Sequence, residues 1–377
     1  MNIAFSTFVM QGGRSGVAAY IVNLLKHLQT VDTKNDYDLL VARSEEQLLA
    51  LTNPRFHKSV FPSWLAKPVP NIAWHNLALP LRARRRYDLV HIPSYRRIPW
   101  LKGARTVATV HDLATFHIEG KYDRARMAYN RRVVPALIRS ADHVITVSRF
   151  TRDDVVRLIG YPEERITVIH SGIDHAVYRP VPRAEAQARL LAKYGLDAPF
   201  LVFVSRIEHP GQNHVRLIRA FEALKRAEPS PHKLVLVGAD WSGAPAVHAC
   251  ARDSRVAADI VFAGFAPIAD LPDFYSACDL AVYPSLFEGF GFPIVEAMAC
   301  GAPAICSRSS SMIEIAQDRL DTFAPESEEE IRAALARALR REWAEEDRAR
   351  GRAYAATFDW DRTARQVIEV YEKVGGR

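Results

Sequence analysis

Short apolar runs alternate with longer stretches of helical periodicity along this chain, and that alternation constrains the fold more than any other feature. In the first half the candidate strands are Asn2–Thr7, Tyr37–Ala42, Leu89–Ile92, Thr106–His111, Val144–Val147 and Ile166–Ile169, and the candidate helices are Val17–Leu28 and Phe150–Leu158. Strands separated by helices form βαβ units, whose strands lie parallel in one sheet with helices on both faces. The first half therefore predicts an α/β, doubly wound domain.

The same alternation restarts after a connector around Pro180-Val181-Pro182. The later candidates are strands at Phe200–Ser205, Leu234–Gly238, Ile260–Ala263, Leu280–Pro284 and Ala304–Ser307, with helices at Leu217–Leu224 and from Pro293. A chain of 377 residues is long enough for two domains, each with a core of its own. We therefore expect two Rossmann-like domains, residues 1–180 and 181–358, facing each other across a ligand-binding cleft.

Residues 359–377 predict a separate terminal helix. Its apolar residues Ala364, Val367, Ile368 and Tyr371 recur at helical spacing. Two aspartates, Asp359 and Asp361, are candidates for its N-cap.

Composition favours a folded chain of the cytoplasm. Apolar residues make up 49% of the chain and charged residues 25%, which excludes a long disordered tract. The four cysteines lie in apolar runs without metal-ligand spacing, which predicts buried, reduced thiols: Cys250, Cys278, Cys300 and Cys306. The amino terminus resembles a first strand rather than a signal peptide, and no apolar run approaches the ~20 residues of a membrane span. We expect neither secretion by that route nor an integral membrane protein.

The formal net charge of +7 indicates anionic partners, such as phosphates, acidic sugars, nucleic acid or an anionic membrane surface. One stretch, Leu81–Arg105, concentrates the cations Arg82, Arg84, Arg85, Arg86, Arg96, Arg97, Lys102 and Arg105 among aromatic residues. Two interpretations stay open, a solvated charged face or a surface for an anionic acceptor or membrane headgroups.

The segment Phe287–Pro303 carries the clearest chemistry. A strand ends near Pro284, a glycine-containing loop follows, and Pro293 stands where a helix should begin. Helix amides and the positive end of the helix dipole then form a place for phosphate. Glu288 lies on the loop and Glu296 near the first turn, and a carboxylate suits paired sugar hydroxyls. An acidic residue in a first turn also complements the dipole with no ligand, so both interpretations of Glu296 stay open.

This segment resembles the hallmark of glycosyltransferase family 4, the retaining, sugar-nucleotide-dependent enzymes of the GT-B fold. Further segments resemble the family in its own order, namely Gly12–Val17, His111-Asp112-Leu113, Val147-Ser148, His170–Asp174, Phe203–Phe221, Ser309–Ala316 and Phe358-Asp359-Trp360. The resemblance covers essentially the whole chain. Each piece alone is a weak signal, and their combination is specific.

The resemblance implies roles at matching positions. Glu288 with the amides of Phe290, Gly291 and Phe292 would hold the donor hexose, Glu296 the nucleoside ribose, and Arg206 the leaving diphosphate. His111 would face the donor sugar across the cleft, and the terminal helix would return to the first domain. The full set of implied donor contacts is Gly12, Gly13, Arg206, Gln212, Glu288, Gly289, Phe290, Gly291, Phe292, Ile294, Val295 and Glu296.

One position departs from the family pattern. Where a second cation usually follows Arg206, this chain has Gln212, although Pro210, Gly211 and Asn213 fit. Loss of a charge-assisted contact would cost roughly 1.5–3 kcal/mol of leaving-group stabilisation. Three interpretations stay open: the substitution impairs the enzyme, Arg14 or Arg308 compensates, or the protein binds a sugar nucleotide without turnover. A smaller departure is Ile313 before Glu314, where the family commonly has proline.

The leading hypothesis is a metal-independent, retaining hexosyltransferase without a cofactor, whose co-substrate is a nucleoside diphosphate sugar. No Asp-x-Asp metal site of the other common glycosyltransferase fold is evident. The resemblance favours mannose from GDP-mannose and a glycan or lipid-linked glycan acceptor in bacterial surface polysaccharide or lipopolysaccharide synthesis. The enzyme would work in the cytoplasm, in peripheral contact with the anionic inner membrane face.

Three rivals remain. An epimerase or phosphorylase shares the two-domain shape but should lack this run of paired motifs, and an epimerase would act on the donor without an acceptor. A non-catalytic sugar-nucleotide-binding protein is suggested by Gln212. A nucleic-acid binder is suggested by the charge alone, but zinc-finger spacing and RNA-binding aromatic motifs are missing, so we expect no nucleic-acid partner.

Overall fold

The computed structural model describes residues 1–13, 15–119, 123–317 and 319–376. Its contacts divide the chain into two compact units, Met1–Gly172 with Asp359–Arg377, and Ile173–Phe358. The first unit ends at Gly172 rather than at residue 180, because the residues that follow bond within the second unit. The amide of Ile173 donates to the carbonyl of Phe358 at 3.1 Å, and the ring of Tyr178 lies 6.5 Å from that of Tyr275.

The first unit is built on a seven-stranded parallel sheet of order β3-β2-β1-β4-β5-β6-β7. Its strands are β1 (Asn2–Ser6), β2 (Asp36–Ala42), β3 (Phe56–Phe61), β4 (Leu89–Ile92), β5 (Arg105–Val110), β6 (His143–Thr146) and β7 (Ile166–Val168). Its helices up to the domain boundary are α1 (Gly16–Val31), α2 (Pro68–Arg86), α3 (Ala114–His117), α4 (Arg124–Ala128), α5 (Val134–Ser140) and α6 (Arg149–Asp154). Central strands such as β4 are buried along their whole length, as expected for a sheet covered on both faces.

The second unit is built on a six-stranded parallel sheet of order β10-β9-β8-β11-β12-β13. Its strands are β8 (Phe200–Val204), β9 (Lys233–Val237), β10 (Ile260–Gly264), β11 (Leu280–Tyr283), β12 (Ala304–Ser307) and β13 (Asp321–Phe323). Its helices are α7 (Arg183–Tyr194), α8 (His214–Ala227), α9 (Ala244–Asp253), α10 (Leu271–Ala277), α11 (Phe292–Ala299), α12 (Ser310–Ala316), α13 (Glu328–Arg340) and α14 (Glu345–Ala355). The two sheets confirm the predicted α/β class with two Rossmann-like domains.

The terminal helix α15 (Trp360–Gly375) packs on the first unit. Asp359 is its N-cap, since its side chain accepts from the amide of Arg362 at 2.8 Å. Trp360 is buried, and the hydroxyl of Tyr371 hydrogen-bonds the Nδ1 atom of His91 at 2.5 Å. These contacts cover one face of the first unit with the last segment of the chain.

Three of the four cysteines are buried and Cys250 is half-buried, and all four are free thiols. Within the described ranges, no helix combines the length and the apolar character that crossing a membrane requires.

Candidate functional site

The loop between β11 and α11 presents backbone amides at the start of a helix. Gly291 has a φ of 99° and is the N-cap of α11, and Pro293 stands in the first turn. A Cβ on Gly291 would lie 3.2 Å from the Sδ atom of Met312, so both the backbone angle and the space require glycine. The amides of residues 290–292 therefore stand at the positive end of the helix dipole. The side chains of Ile294 and Val295, by contrast, are fully buried in the core.

Glu288 is fixed on this loop by two serines of α12. Its amide donates to the Oγ atom of Ser310 at 2.9 Å, and the hydroxyl of Ser311 donates to its carbonyl at 2.8 Å. Its carboxylate accepts from the amide Nε2 of Gln212 at 3.0 Å. The structure thus brings together two residues that the sequence places far apart.

The segment before α8 is attached to the same loop by further bonds. Ser285 donates to Oε1 of Gln212 at 3.2 Å, and the amide of Leu286 donates to the carbonyl of Gly211 at 3.0 Å. The Asn213 side chain donates to the carbonyls of Pro284 at 2.9 Å and Pro325 at 2.7 Å. Gln212 is therefore held with its amide nitrogen toward Glu288, where it supplies a neutral hydrogen bond in place of a positive charge.

Arg206 follows β8 and is held by different partners. Its guanidinium forms an ion pair with Glu208 at 3.0 Å and lies 5.0 Å above the ring of Trp241. Behind it, Gly238 permits the close approach of two strands, since a Cβ there would lie 1.9 Å from the carbonyl oxygen of Ser205. Among the described residues the ion pair of Arg206 is with Glu208 and not with Glu288. Its side chain is 43% exposed, so its charge is accessible to a ligand.

Glu296 is a carboxyl group enclosed by tyrosines. Tyr275 donates to its Oε2 atom at 3.2 Å, and Tyr178 also hydrogen-bonds it. Burial raises the pKa of Glu296 to about 7, although the two tyrosine hydrogen bonds lower it. Glu296 lies beyond the first turn of α11, which contains no acidic residue. The interpretation that Glu296 only complements the helix dipole is therefore not supported. Its environment leaves it partly protonated at neutral pH.

His111 stands at the carboxyl end of β5 in the first unit. Its Nε2 atom lies 3.1 Å from the carbonyl of Pro93, and its ring meets that of Tyr20 edge-on at 4.7 Å. Burial lowers the pKa of His111 to about 4, so the ring is neutral at pH 7. Because a carbonyl only accepts, Nε2 carries the proton and Nδ1 is a hydrogen-bond acceptor.

Gly12 and Gly13 form the turn between β1 and α1. Their φ angles are 70° and 82°, which favour glycine, and the amide of Gly12 donates to Glu45 at 3.0 Å. Arg14, one of the two cations considered as compensation for Gln212, lies outside the described residues. The other, Arg308, is exposed and forms an ion pair with Glu330 at 3.2 Å. Glu314 lies on α12.

Two family models match this chain, one in each unit. Residues 188–358 match the model described as glycosyl transferases group 1, and residues 14–177 match the model described as glycosyltransferase family 4. The chain belongs to the family 4-like glycosyltransferases. The resemblance seen in the sequence is confirmed, and so is the class of activity, a hexosyltransferase.

Curated relatives of this glycosyltransferase include two mannosyltransferases. The O-antigen chain mannosyltransferase B of Escherichia coli is 29% identical over 99% of this chain and 100% of its own. The serotype-specific mannosyltransferase WbdA of Escherichia coli is 29% identical over 76% of this chain, which spans 35% of that longer protein.

Solved structures with the same fold cover the whole enzyme. Sucrose-phosphate synthase from Thermosynechococcus elongatus superposes with a TM-score of 0.80 at 20% identity, over 99% of this chain and 98% of that one. HepE of Anabaena in complex with UDP and glucose superposes with a TM-score of 0.75 at 22% identity, over 99% of each chain. At these identities the likeness establishes the fold.

Several residues around the predicted site were missed in the sequence. Ser310 and Ser311 fix Glu288, Tyr178 and Tyr275 enclose Glu296, and Trp241 lies beneath Arg206. The serines fall within the Ser309–Ala316 segment that resembles the family, which was a usable signal. No sequence pattern indicated Tyr178 and Tyr275, because they are far from Glu296 in sequence.

Proposed function

We propose that this glycosyltransferase transfers mannose from GDP-mannose to a hydroxyl of a glycan or lipid-linked glycan, with retention of the anomeric configuration, in bacterial surface polysaccharide synthesis. The observation that carries the donor site is the hydrogen bond between Gln212 and Glu288 beside the start of α11. It joins the segment that follows Arg206, which we propose binds the diphosphate, to the loop that we propose binds the sugar. The choice of mannose is supported by the two relatives named as mannosyltransferases.

The proposed donor site suits the charges of the reaction. Breaking a glycosyl–phosphate bond leaves negative charge on the diphosphate and positive charge on the sugar. The amides before α11 and the accessible guanidinium of Arg206 would stabilise the diphosphate, and we propose that this occurs without a metal ion or another cofactor. Glu288, with the amides of Phe290, Gly291 and Phe292, would orient the hexose.

Further residues complete the proposal. Glu296 would accept hydrogen bonds from the ribose hydroxyls, for which its ionised form is the better acceptor. His111, neutral with an acceptor at Nδ1, would contact a hydroxyl of the donor sugar. Gly12 and Gly13 would allow close backbone approach to the substrates. The second unit would bind the donor and the first unit the acceptor.

Calorimetry with GDP, UDP, GDP-mannose, UDP-glucose and UDP-GlcNAc, with and without EDTA, tests the donor. We expect micromolar, EDTA-insensitive binding of the guanosine series. Transfer to a mannose-terminated oligosaccharide, with the anomeric configuration read by NMR, then tests the chemistry. Preference for a uridine donor would contradict the GDP-mannose assignment, and an inverted product would contradict retention.

A second candidate function is binding of a sugar nucleotide without turnover, which Gln212 favours because it lacks the expected charge. Measurement of GDP release in the same transfer experiment distinguishes the two functions. A protein that binds GDP-mannose but releases no GDP with any tested acceptor, while Gln212→Lys does release it, is impaired in catalysis. Release of GDP by the unmodified protein excludes this alternative.

A further inference from the structure

The chain segment between residues 47 and 111 has a large excess of positive over negative side chains. It contains eleven Lys and Arg residues and a single acidic residue, Asp88. This excess of ten positive charges is larger than the formal net charge of +7 for the whole chain. The rest of the chain, with 39 Lys and Arg against 42 Asp and Glu, has a small negative excess.

Some cations of this segment form ion pairs or are buried, whereas others are exposed to solvent. Arg82 forms an ion pair with Asp38 at 3.1 Å, and Lys102 forms one with Asp142 at 2.7 Å. Burial lowers the pKa of Arg97 to about 10. Three consecutive arginines at the end of α2 are exposed and form no ion pair within the described part of the chain: Arg84, Arg85 and Arg86. These three are available to an anionic partner.

Apolar side chains are exposed along the same helix. Leu77 and Leu81, four residues apart on α2, are 67% and 73% exposed, and Val69 near its start is 78% exposed. Residues four apart are neighbours on a helix surface, so Leu77, Leu81 and Arg85 follow one stripe. The opposite side of α2 is buried through residues such as Leu79 and Ala83. The stripe is thus not needed for the core of the unit.

A second exposed apolar group lies beside this stripe. The amide of Trp100 donates to the side chain of Asn76 at 2.9 Å. Gly103 touches the helix one turn later, since a Cβ there would lie 1.9 Å from the carbonyl oxygen of Pro80. Trp100 and Leu101, which are 54% and 63% exposed, are therefore held against α2 between Asn76 and Pro80. We call Val69, Leu77, Leu81, Trp100, Leu101, Arg84, Arg85 and Arg86 the α2 surface.

We propose that the α2 surface docks the protein on an anionic lipid bilayer. Exposed leucines with an exposed tryptophan suit the boundary between headgroups and acyl chains, and the exposed arginines beside them suit anionic headgroups. The combination argues against a purely solvated charged face, because that face would gain nothing from exposing large apolar side chains. The inference is independent of which sugar the enzyme transfers.

Sedimentation of the full-length protein with phosphatidylcholine vesicles, with and without about 30% phosphatidylglycerol, tests the proposal. We expect binding to the anionic vesicles and little to the neutral ones, weakened by added salt because screening shortens the range of the charges. Arg84→Gln with Arg85→Gln should lower the partition coefficient roughly 30-fold, at about a fivefold loss per cationic side chain. Leu77→Gln with Leu81→Gln should lower it roughly tenfold or more.

The second unit offers a matched control. Phe265 and Ile268 are 69% and 58% exposed, like the leucines of α2, but residues 256–279 contain four aspartates and no Lys or Arg. Phe265→Gln with Ile268→Gln should leave vesicle binding unchanged. Because all substituted side chains are exposed, circular dichroism and thermal melting should show that each variant is folded.

Several outcomes would overturn the proposal. Absence of binding to anionic vesicles, or binding that the control variant reduces as strongly as the α2 variants, would exclude the α2 surface as the docking site. Tighter binding to a single-stranded RNA than to vesicles would assign the arginines to nucleic acid. A dimer in light scattering that Leu77→Gln with Leu81→Gln dissociates, without vesicle binding, would assign the stripe to a second copy of this chain.

Discussion

Replacing Gln212 by lysine tests the donor site at the position where this chain departs from its family. The amide of Gln212 now donates to Glu288 at 3.0 Å and accepts from Ser285 at 3.2 Å. Lysine adds a positive charge and a longer side chain, which can reach beyond Glu288 to a diphosphate. A charge-assisted hydrogen bond contributes roughly 1.5–3 kcal/mol, which corresponds to about a tenfold to hundredfold change in Kd. Since Gln212 is only half-buried, we expect the lower end of this range.

The substitution also has a cost that a stability measurement should detect. Ser285 loses its acceptor, and one lost hydrogen bond lowers the free energy of unfolding by about 0.5–1.5 kcal/mol. We therefore expect Gln212→Lys to bind GDP about tenfold more tightly while it melts at a slightly lower temperature. Calorimetry with GDP and with GDP-mannose, together with thermal unfolding, measures both effects.

Two further variants isolate the cause. Gln187→Lys makes the same change of charge at an exposed position of α7 and should leave the affinity for GDP unchanged. Gln212→Leu removes the bond to Glu288 without adding charge, so it should weaken GDP-mannose binding more than GDP binding. If Gln212→Lys and Gln187→Lys bind GDP equally well, Gln212 does not face the diphosphate and the reasoning is refuted.

Three other predictions concern single residues. Between pH 4.5 and 7, the free energy of unfolding should fall by about 3 kcal/mol more in the wild type than in Glu296→Gln. The reason is that the folded carboxyl, with a pKa of about 7, keeps a proton that the unfolded one releases. Urea titrations measure this, and equal pH slopes in the two proteins would contradict it. Gly291→Ala should weaken GDP binding and lower the melting temperature, since alanine is strained at a φ of 99° and meets Met312. Gly172→Ala should destabilise the first unit, because its Cβ would lie 2.4 Å from the amide nitrogen of Trp360; a melting temperature equal to that of the wild type would show that this contact relaxes freely.

The strands buried on both faces were the most predictable part of the fold. Leu89–Ile92 and Ala304–Ser307 coincide with β4 and β12, because a strand covered by helices on both sides consists of apolar residues throughout. The edge strand β3 was missed, since His57, Lys58 and Ser59 interrupt its apolar pattern. An edge strand has one neighbour and partly faces solvent, so its sequence does not resemble that of a central strand.

The candidate site was predictable where it depends on local backbone and not where it depends on distant partners. Gly291 and Pro293 identify the start of α11 because each has a conformational requirement that the sequence itself reveals. The resemblance placed Gln212 and Glu288 at one donor site, but their hydrogen bond to each other was not predicted. The elevated pKa of Glu296 arises from its burial beside Tyr275 of α10 and Tyr178, and no local pattern near Glu296 indicates it.

The α2 surface shows why helical periodicity leaves function open. Apolar residues occur around much of α2, and a helix of that kind is usually read as buried. The structure buries Leu79 and Ala83 in the core of the first unit but leaves Leu77 and Leu81 in solvent. The segment Trp100–Gly103 packs beside the exposed stripe without covering it. The sequence located the cations of this region, but only the fold separates Arg82, which is engaged with Asp38, from the arginines available to a partner. An exposed apolar stripe that the core does not need, next to arginines that form no ion pair with the described residues, is therefore evidence of an interaction.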